Sequence, residues 1–340
     1  MKWLSLGLLV ILSGCAQVTS LNMQKHEFGI LPTKIIWFQI AGLEEEQLAM
    51  LRFQLAAERK TSFEDSTCIG KSWSYNLYNL RPSAESSFLS QLTGKKNIKM
   101  SCEDTEHRPI WSYLGSNGYK TAILEIGANS QQSLMSMKAC AEKGEGFLGS
   151  LYFWVRKEGA TGSDTFHYRE PIVFEGQKVF YDKTCDKTQC FSTITDNYKF
   201  IYENFKRYSK KNLMIIRDFS YLAAIEKKDF FKAKGILNDI DLSLNEALKE
   251  TKSSVDTLVV VTSGDSRFMD LPDQGRAWAD YEKNNTPPQM KRSKLTNLVI
   301  ASGARAENFC GFYEDSQILE RILSGPKQLG LELKFLNPFK

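Results

Sequence analysis

Apolar and polar positions along this chain alternate in blocks that predict a strand, then a helix, then a strand. Four near-continuous apolar runs predict strands that are buried on both faces. They lie at 34–40, 120–126, 257–261 and 295–301. We expect these four strands to be parallel neighbours in one sheet.

Three stretches carry the three- and four-residue spacing of amphipathic helices. The strongest runs from Phe230 to Glu250 and leads directly into the strand at 257–261. A second helix is predicted from Glu44 to Lys60, with acidic residues at its start and basic residues at its end. A third begins after Pro109 and ends near Gly118. Helices alternating with buried strands predict an α/β domain, with a mostly parallel sheet and helices on both faces.

The pattern changes between about 128 and 195, where short aromatic segments at 147–155 and 172–181 predict β-strands joined by glycine-containing turns. We interpret this segment as a β-rich lobe inserted into the α/β domain. Cys185 and Cys190 flank a short polar turn within it, which favours a disulfide between them. A zinc knuckle is the alternative, but it lacks a second cysteine or histidine pair at suitable spacing.

The amino terminus indicates export and anchoring. Lys2 precedes an apolar run, 3–12, that is too short to span a bilayer as a finished helix. The sequence Leu-Ser-Gly-Cys that ends at Cys15 resembles the lipobox of bacterial lipoproteins. This resemblance implies a signal peptide over 1–14 and lipid, such as palmitate, on Cys15. A secretory signal with a chance cysteine is the alternative.

We expect the lipidated Cys15 and a tether over 15–31 to precede a folded domain over 32–340. Ala16 is not acidic, so the resemblance to lipoproteins implies the outer membrane of a bacterial cell envelope. No later stretch is apolar for 18 residues, so the lipid is the expected membrane anchor. The partner of the domain in the envelope is left open.

The charged residues and the cysteines limit the classes of function that the chain can have. The chain of 340 residues has 44 basic and 40 acidic residues, and the basic ones are scattered, so a nucleic-acid surface is not expected. Of 7 cysteines, six remain once Cys15 carries lipid, an even number in a compartment that permits disulfides. The sequence leaves open the pairing of four of them: Cys68, Cys102, Cys140 and Cys310.

Four segments, in this order, resemble the alkaline phosphatase and sulfatase superfamily: 34–43, 83–96, 110–124 and 257–266. In that family they are a strand ending in Asp-Gly, a helix that carries the nucleophile and ends in Leu-Thr-Gly, a helix and strand containing Gly-Tyr-Lys-Thr, and a strand ending in Thr-Ser-Asp-His-Gly. The resemblance implies a fold in which carboxylates and histidines hold divalent cations, and a side-chain nucleophile attacks a phosphate or sulfate ester.

The family's functional positions carry other residues in this chain. The first metal-binding aspartate falls on Ala41, the nucleophile on Ala84, and the Asp-His pair on Gly264 and Asp265. An Asp-x-x-x-His element places its aspartate on Asp218 and its histidine on Leu222. Because a methyl group neither binds a cation nor attacks phosphorus, we expect a catalytically degenerate domain without metal or cofactor, which serves as a binding or scaffolding module.

Two enzymatic alternatives remain. A remodelled hydrolase or transferase would hold one divalent cation with Asp218 and Asp265, and a shifted register would make Ser83 or Ser87 the nucleophile. A GDSL-type esterase would use Ser266, but that family needs a histidine near the end of the domain. The chain has three histidines, and all of them precede Ser266: His26, His107 and His167.

Overall fold

The computed structural model describes residues 32–53, 55, 59–140, 146–149, 151–157, 171–174, 177–181, 193–272, 275–284 and 289–323. Its strands are β1 (Lys34–Ala41), β2 (Cys68–Trp73), β3 (Lys120–Ala128), β4 (Leu151–Lys157), β5 (Pro171–Phe174), β6 (Gln177–Tyr181), β7 (Asn212–Asp218), β8 (Thr257–Gly264), β9 (Arg267–Asp270), β10 (Gln289–Ser293), β11 (Thr296–Gly303) and β12 (Gly311–Glu314). Its α-helices are α1 (Ala49–Arg52), α2 (Ala84–Thr93), α3 (Ile110–Gly115), α4 (Ile194–Tyr208), α5 (Ser220–Glu226), α6 (Phe230–Ser253), α7 (Gly275–Lys283) and α8 (Ile318–Leu323).

A ten-stranded sheet forms the centre, in the order β12-β2-β11-β8-β1-β7-β3-β4-β6-β5. Most neighbours are parallel, and β11 is antiparallel to both β2 and β8. Side chains alternate between two cores: Phe38 packs on the face covered by α4, α5 and α6, whereas Trp37 packs on the face covered by α2, α3 and α8. The predicted α/β class, with a mostly parallel sheet and helices on both faces, is confirmed.

The predicted order of strands is wrong in two respects. β11, which contains the apolar run at 295–301, is antiparallel to β8 rather than parallel. β7 was not predicted, and it lies between β1 and β3. The connection from β8 to β11 contains the antiparallel pair of β9 and β10 and the helix α7, and an antiparallel neighbour needs no crossover to the other end of the sheet.

The helix predicted from Glu44 to Lys60 is shorter in the structure. A 3-10 turn over Glu45–Leu48 continues into α1, which ends at Arg52. Farther on, the backbone N–H of Ser62 donates a 2.7 Å hydrogen bond to Asp241 on α6, which directs the chain across that helix. The strongest predicted helix is present and extends to Ser253.

The strands of the 128–195 segment join the main sheet at its β3 edge, where β4 is parallel to β3 and β6 is parallel to β4. Cys185 and Cys190 lie outside the described residues, as do the signal peptide and Cys15. Two disulfides are present among the described cysteines, Cys68–Cys310 and Cys102–Cys140. No helix in the described part of the chain is long and apolar enough to cross a bilayer.

Candidate functional site

The carboxyl ends of the central parallel strands meet at one edge of the sheet, the usual place for a site in an α/β fold. Ala41 at the end of β1 lies opposite Gly264 at the end of β8. Asp218 at the end of β7 lies opposite Ile40. The amino terminus of α2, at Ala84, packs against Gly264. The structure thus brings together the positions that the sequence resemblance singled out.

An apolar cluster occupies this meeting point. Its six side chains are at most 7% exposed, and they are Ala41, Ala84, Phe88, Ala128, Phe219 and Leu222. The rings of Phe88 and Phe219 pack edge to face, with centroids 5.6 Å apart. We refer to these six residues as the apolar cluster.

Gly264 shows how tightly the apolar cluster is closed. A Cβ atom built on Gly264 would lie 2.8 Å from Cε1 of Phe88 and 3.0 Å from the carbonyl oxygen of Ala84. The Phe88 ring therefore fills the space into which a side chain at Gly264 would extend. Leu222 packs against the turn after β1, since its Cδ1 lies 3.0 Å from the position of a Cβ on Gly42.

Asp218 is fully buried beside the apolar cluster, and its carboxylate holds the start of α5. One oxygen accepts a 2.9 Å hydrogen bond from the backbone N–H of Tyr221, and the other accepts a 2.7 Å hydrogen bond from Ser220 Oγ. This carboxylate serves the first turn of a helix, as capping aspartates do.

Asp265 forms the turn after β8. Its backbone is left-handed, with φ of 53°. Its carboxylate accepts a 2.6 Å hydrogen bond from Arg267, which also contacts Glu226 at 3.1 Å. The structure therefore places both candidate cation ligands, Asp218 and Asp265, in hydrogen bonds with protein groups.

The serines proposed as nucleophiles have different surroundings. Ser83 is the exposed N-cap residue of α2. Ser87 is buried one turn later and lies beside Asp315, whose pKa its hydroxyl helps to lower. Ser266 is buried, and its hydroxyl donates to the carbonyl of Leu43 at 2.7 Å.

Ser266 Oγ also lies 2.8 Å from Ser263 Oγ and 3.1 Å from Asn297 Oδ1. These neighbours are a hydroxyl, a side-chain amide and a carbonyl, and none of them acts as a general base at neutral pH. His107 instead lies 4.0 Å from Asp104, just before α3. Among the residues that the structure describes, no base lies beside Ser266, which does not favour the esterase interpretation.

The side chains of the apolar cluster offer no ligands for a divalent cation. Such an ion needs several oxygen, nitrogen or sulfur ligands at about 2.0–2.6 Å, and the apolar cluster presents methyl groups, leucine carbons and phenyl rings. Within the described ranges, no group of three or more His, Cys, Asp or Glu residues is placed to hold a metal ion.

A buried ion pair lies beside the apolar cluster, and it was not predicted from the sequence. Arg217, on β7, donates to Glu125 on β3, and both side chains are at most 1% exposed. The guanidinium also lies 5.4 Å from the ring centroid of Phe219 and 5.8 Å from that of Phe88. Burial lowers the pKa of Arg217, and the charge of Glu125 opposes that shift. A charged residue directly after the short apolar run 213–216 was the available signal, because buried charges are paired.

A second buried network centres on Asp315, which follows β12. Its carboxylate accepts hydrogen bonds from Ser72 Oγ on β2 and from Asn297 Nδ2 on β11, the latter at 2.9 Å. Burial raises the pKa of Asp315 to about 7, whereas the nearby polar side chains of Ser72, Ser87, Gln91 and Asn297 lower it. No local sequence pattern links Asp315 to these partners, since they come from three distant elements.

Comparison with solved structures identifies the architecture. An alkaline phosphatase from the Antarctic bacterium TAB5 superimposes with a TM-score of 0.61 at 16% identity, over 86% of this chain and 98% of that one. A cold-active alkaline phosphatase from Shewanella sp. gives 0.57 at 12% identity, over 85% and 98%. The Thermus thermophilus alkaline phosphatase gives 0.56 at 11% identity, over 93% and 96%. No family model matches the sequence, and no curated protein matches it. The chain therefore has the alkaline phosphatase-like fold.

Proposed function

We propose that this chain is a catalytically inactive protein of the alkaline phosphatase-like fold, which is held at the bacterial cell envelope by lipid on Cys15 and acts there as a binding or scaffolding module. The observation that carries the proposal is the apolar cluster at the carboxyl ends of the strands. Hydrolysis or transfer of a phosphate ester requires groups that neutralise charge on the transferring group and a nucleophile that attacks it. Ala41, Ala84 and Gly264 supply neither.

The test of inactivity uses residues 16–340, which retain every helix and strand of the described fold. We expect substoichiometric zinc, calcium and magnesium in the purified protein, and no turnover of aryl phosphate or aryl sulfate when these metals are added. The named neighbours are alkaline phosphatases, which makes aryl phosphate the first substrate to assay.

The matched variants for that assay are Asp218→Ala and Asp265→Ala. If the wild type bound one metal ion per chain and hydrolysed either ester, and if both activities were lost in these variants, the chain would be a remodelled enzyme and not an inactive module. Turnover that is unchanged in both variants would instead indicate a contaminating hydrolase.

Anchoring is tested separately with Cys15→Ser in the full chain. A lipidated cysteine partitions strongly into bilayers, so we expect the wild type to sediment with membranes and to incorporate labelled fatty acid, and the variant to incorporate none and to lose most of its membrane association. The two disulfides support the proposal, because disulfides persist in exported proteins. A variant that sediments as the wild type does, together with a wild type that takes up no label, would contradict it.

A further inference from the structure

An exposed apolar loop lies at the same edge of the sheet as the apolar cluster. β2 is antiparallel to β11, and β11 is antiparallel to β8, so β2 runs in the direction of β1 and ends at the same edge. Residues 75–80 follow β2 and lead to α2. Their large side chains remain 37–72% exposed, namely Tyr75, Leu77, Tyr78 and Leu80. We call these four residues the loop surface.

The loop is held rigidly although its side chains face solvent. Asn76 is 6% exposed, and its Oδ1 accepts hydrogen bonds from the backbone N–H groups of Tyr78 and Asn79, at 2.8 and 2.7 Å. Its Nδ2 donates to Ser86 Oγ on α2 at 3.0 Å. The backbone N–H of Leu77 donates to the carbonyl of Lys96 at 3.0 Å. A fixed loop that presents leucines to solvent is pre-organised for a contact, because little conformational entropy remains to be lost on binding.

Lysines surround the loop surface. The ammonium of Lys96 lies 5.3 Å from the ring centroid of Tyr75, and that of Lys99 lies 5.7 Å from that of Tyr78. Both also contact exposed or half-exposed carboxylates, Glu314 and Glu103. Exposed pairs of this kind are worth about 0–1 kcal/mol, so these ammonium groups can exchange their partners for other anions. Lys95 adds a third, exposed cation.

We propose that the loop surface and these lysines form a contact site for an anionic lipid bilayer. Leucine side chains enter the boundary of the acyl chains, tyrosine rings lie at the level of the headgroups, and lysines bind lipid phosphates. A protein partner fits less well, because protein interfaces are depleted in lysine. If Cys15 carries lipid, the length of chain from 15 to 31 can reach at most about 60 Å, which is comparable to the diameter of about 50 Å for a domain of this size.

The test measures binding of residues 16–340, without the lipid, to vesicles of phosphatidylcholine containing about one quarter phosphatidylglycerol. We expect Leu77→Ala/Tyr78→Ala/Leu80→Ala to lower the partition coefficient at least about tenfold, since three apolar side chains leave the interface. Pure phosphatidylcholine or 0.5 M salt should weaken wild-type binding about threefold or more, because the lysine attraction is screened or lost.

Leu242→Ala/Val255→Ala is the matched control, since both residues are exposed apolar side chains far along the chain from the loop. Thermal unfolding of each variant verifies that it is folded. The proposal is overturned if the wild type does not bind the vesicles, or if the triple variant binds as the control does. A triple variant that loses self-association, while neither protein binds vesicles, would show instead that a second copy of the chain covers the loop. None of these outcomes depends on the metal and activity assays.

Discussion

Replacing Arg217 with alanine should destabilise the domain by about 3–5 kcal/mol, the cost of leaving a buried charge without its partner. Glu125 is fully buried on β3, and it also accepts a 2.9 Å hydrogen bond from the backbone N–H of Leu134. Without the guanidinium, its carboxylate would stay in the core without a counter-charge. The variant also removes the group that packs against Phe88 and Phe219 of the apolar cluster.

Urea unfolding of Arg217→Ala against the wild type measures this loss. The matched control is Glu125→Met/Arg217→Met, which removes both charges and keeps side-chain volume. It should cost less than the single variant, since only the hydrogen bonds to Glu125 are lost, at about 1–2 kcal/mol. If Arg217→Ala lowered the free energy of unfolding by less than about 1 kcal/mol, the ion pair of Arg217 and Glu125 would contribute no more than an exposed ion pair does.

The buried Asp315 should make the stability of this domain depend on pH. Its folded-state pKa of about 7 is raised from 3.8, chiefly by burial. A raised pKa means that the folded state holds the proton more strongly than the unfolded chain does. The resulting stabilisation is complete below about pH 4 and is lost as the pH rises through 7. Between about pH 4 and pH 7, the free energy of unfolding should fall by about 4 kcal/mol because of this group.

Asp315→Asn removes this titration, so its unfolding temperature should change less than that of the wild type between pH 5 and 9. As the pH rises, the unfolding temperature of the variant should increase relative to that of the wild type. Asp65→Asn, which removes a half-exposed carboxylate paired with Lys252, controls for the loss of one negative charge. Parallel profiles for the wild type and Asp315→Asn would show that Asp315 does not titrate in this range.

The apolar runs were sufficient to predict the class of fold but not the order of its strands. β1, β3, β8 and β11 are long apolar segments, because they are buried on both faces. β7 was missed, since its apolar run covers only residues 213–216 before Arg217 and Asp218, whose buried partners come from β3 and α5. The direction of β11 was not predictable, since a strand covered on both faces has the same apolar pattern in either direction.

The sequence motifs predicted where the candidate site lies, but they did not predict which side chains occupy it. The sequence placed Ala41, Ala84 and Gly264 at matching positions, and the structure brings them together. Phe88 and Phe219 were not singled out, because apolar residues on a helix or after a strand resemble ordinary core. Only the three-dimensional contacts reveal that their rings occupy the space between the strand ends.

The central position of β1 has a consequence for how the chain folds. β1 is the first of the described strands, yet its two neighbours, β7 and β8, come from residues 212–264. Its edges therefore stay unpaired until most of the chain has been made, and closing such long loops slows folding. During that interval the apolar run KIIWFQIA is an open template for pairing with other chains. A growing or exported chain of this design would benefit from a chaperone that covers its amino-terminal strand until residues 212–264 arrive.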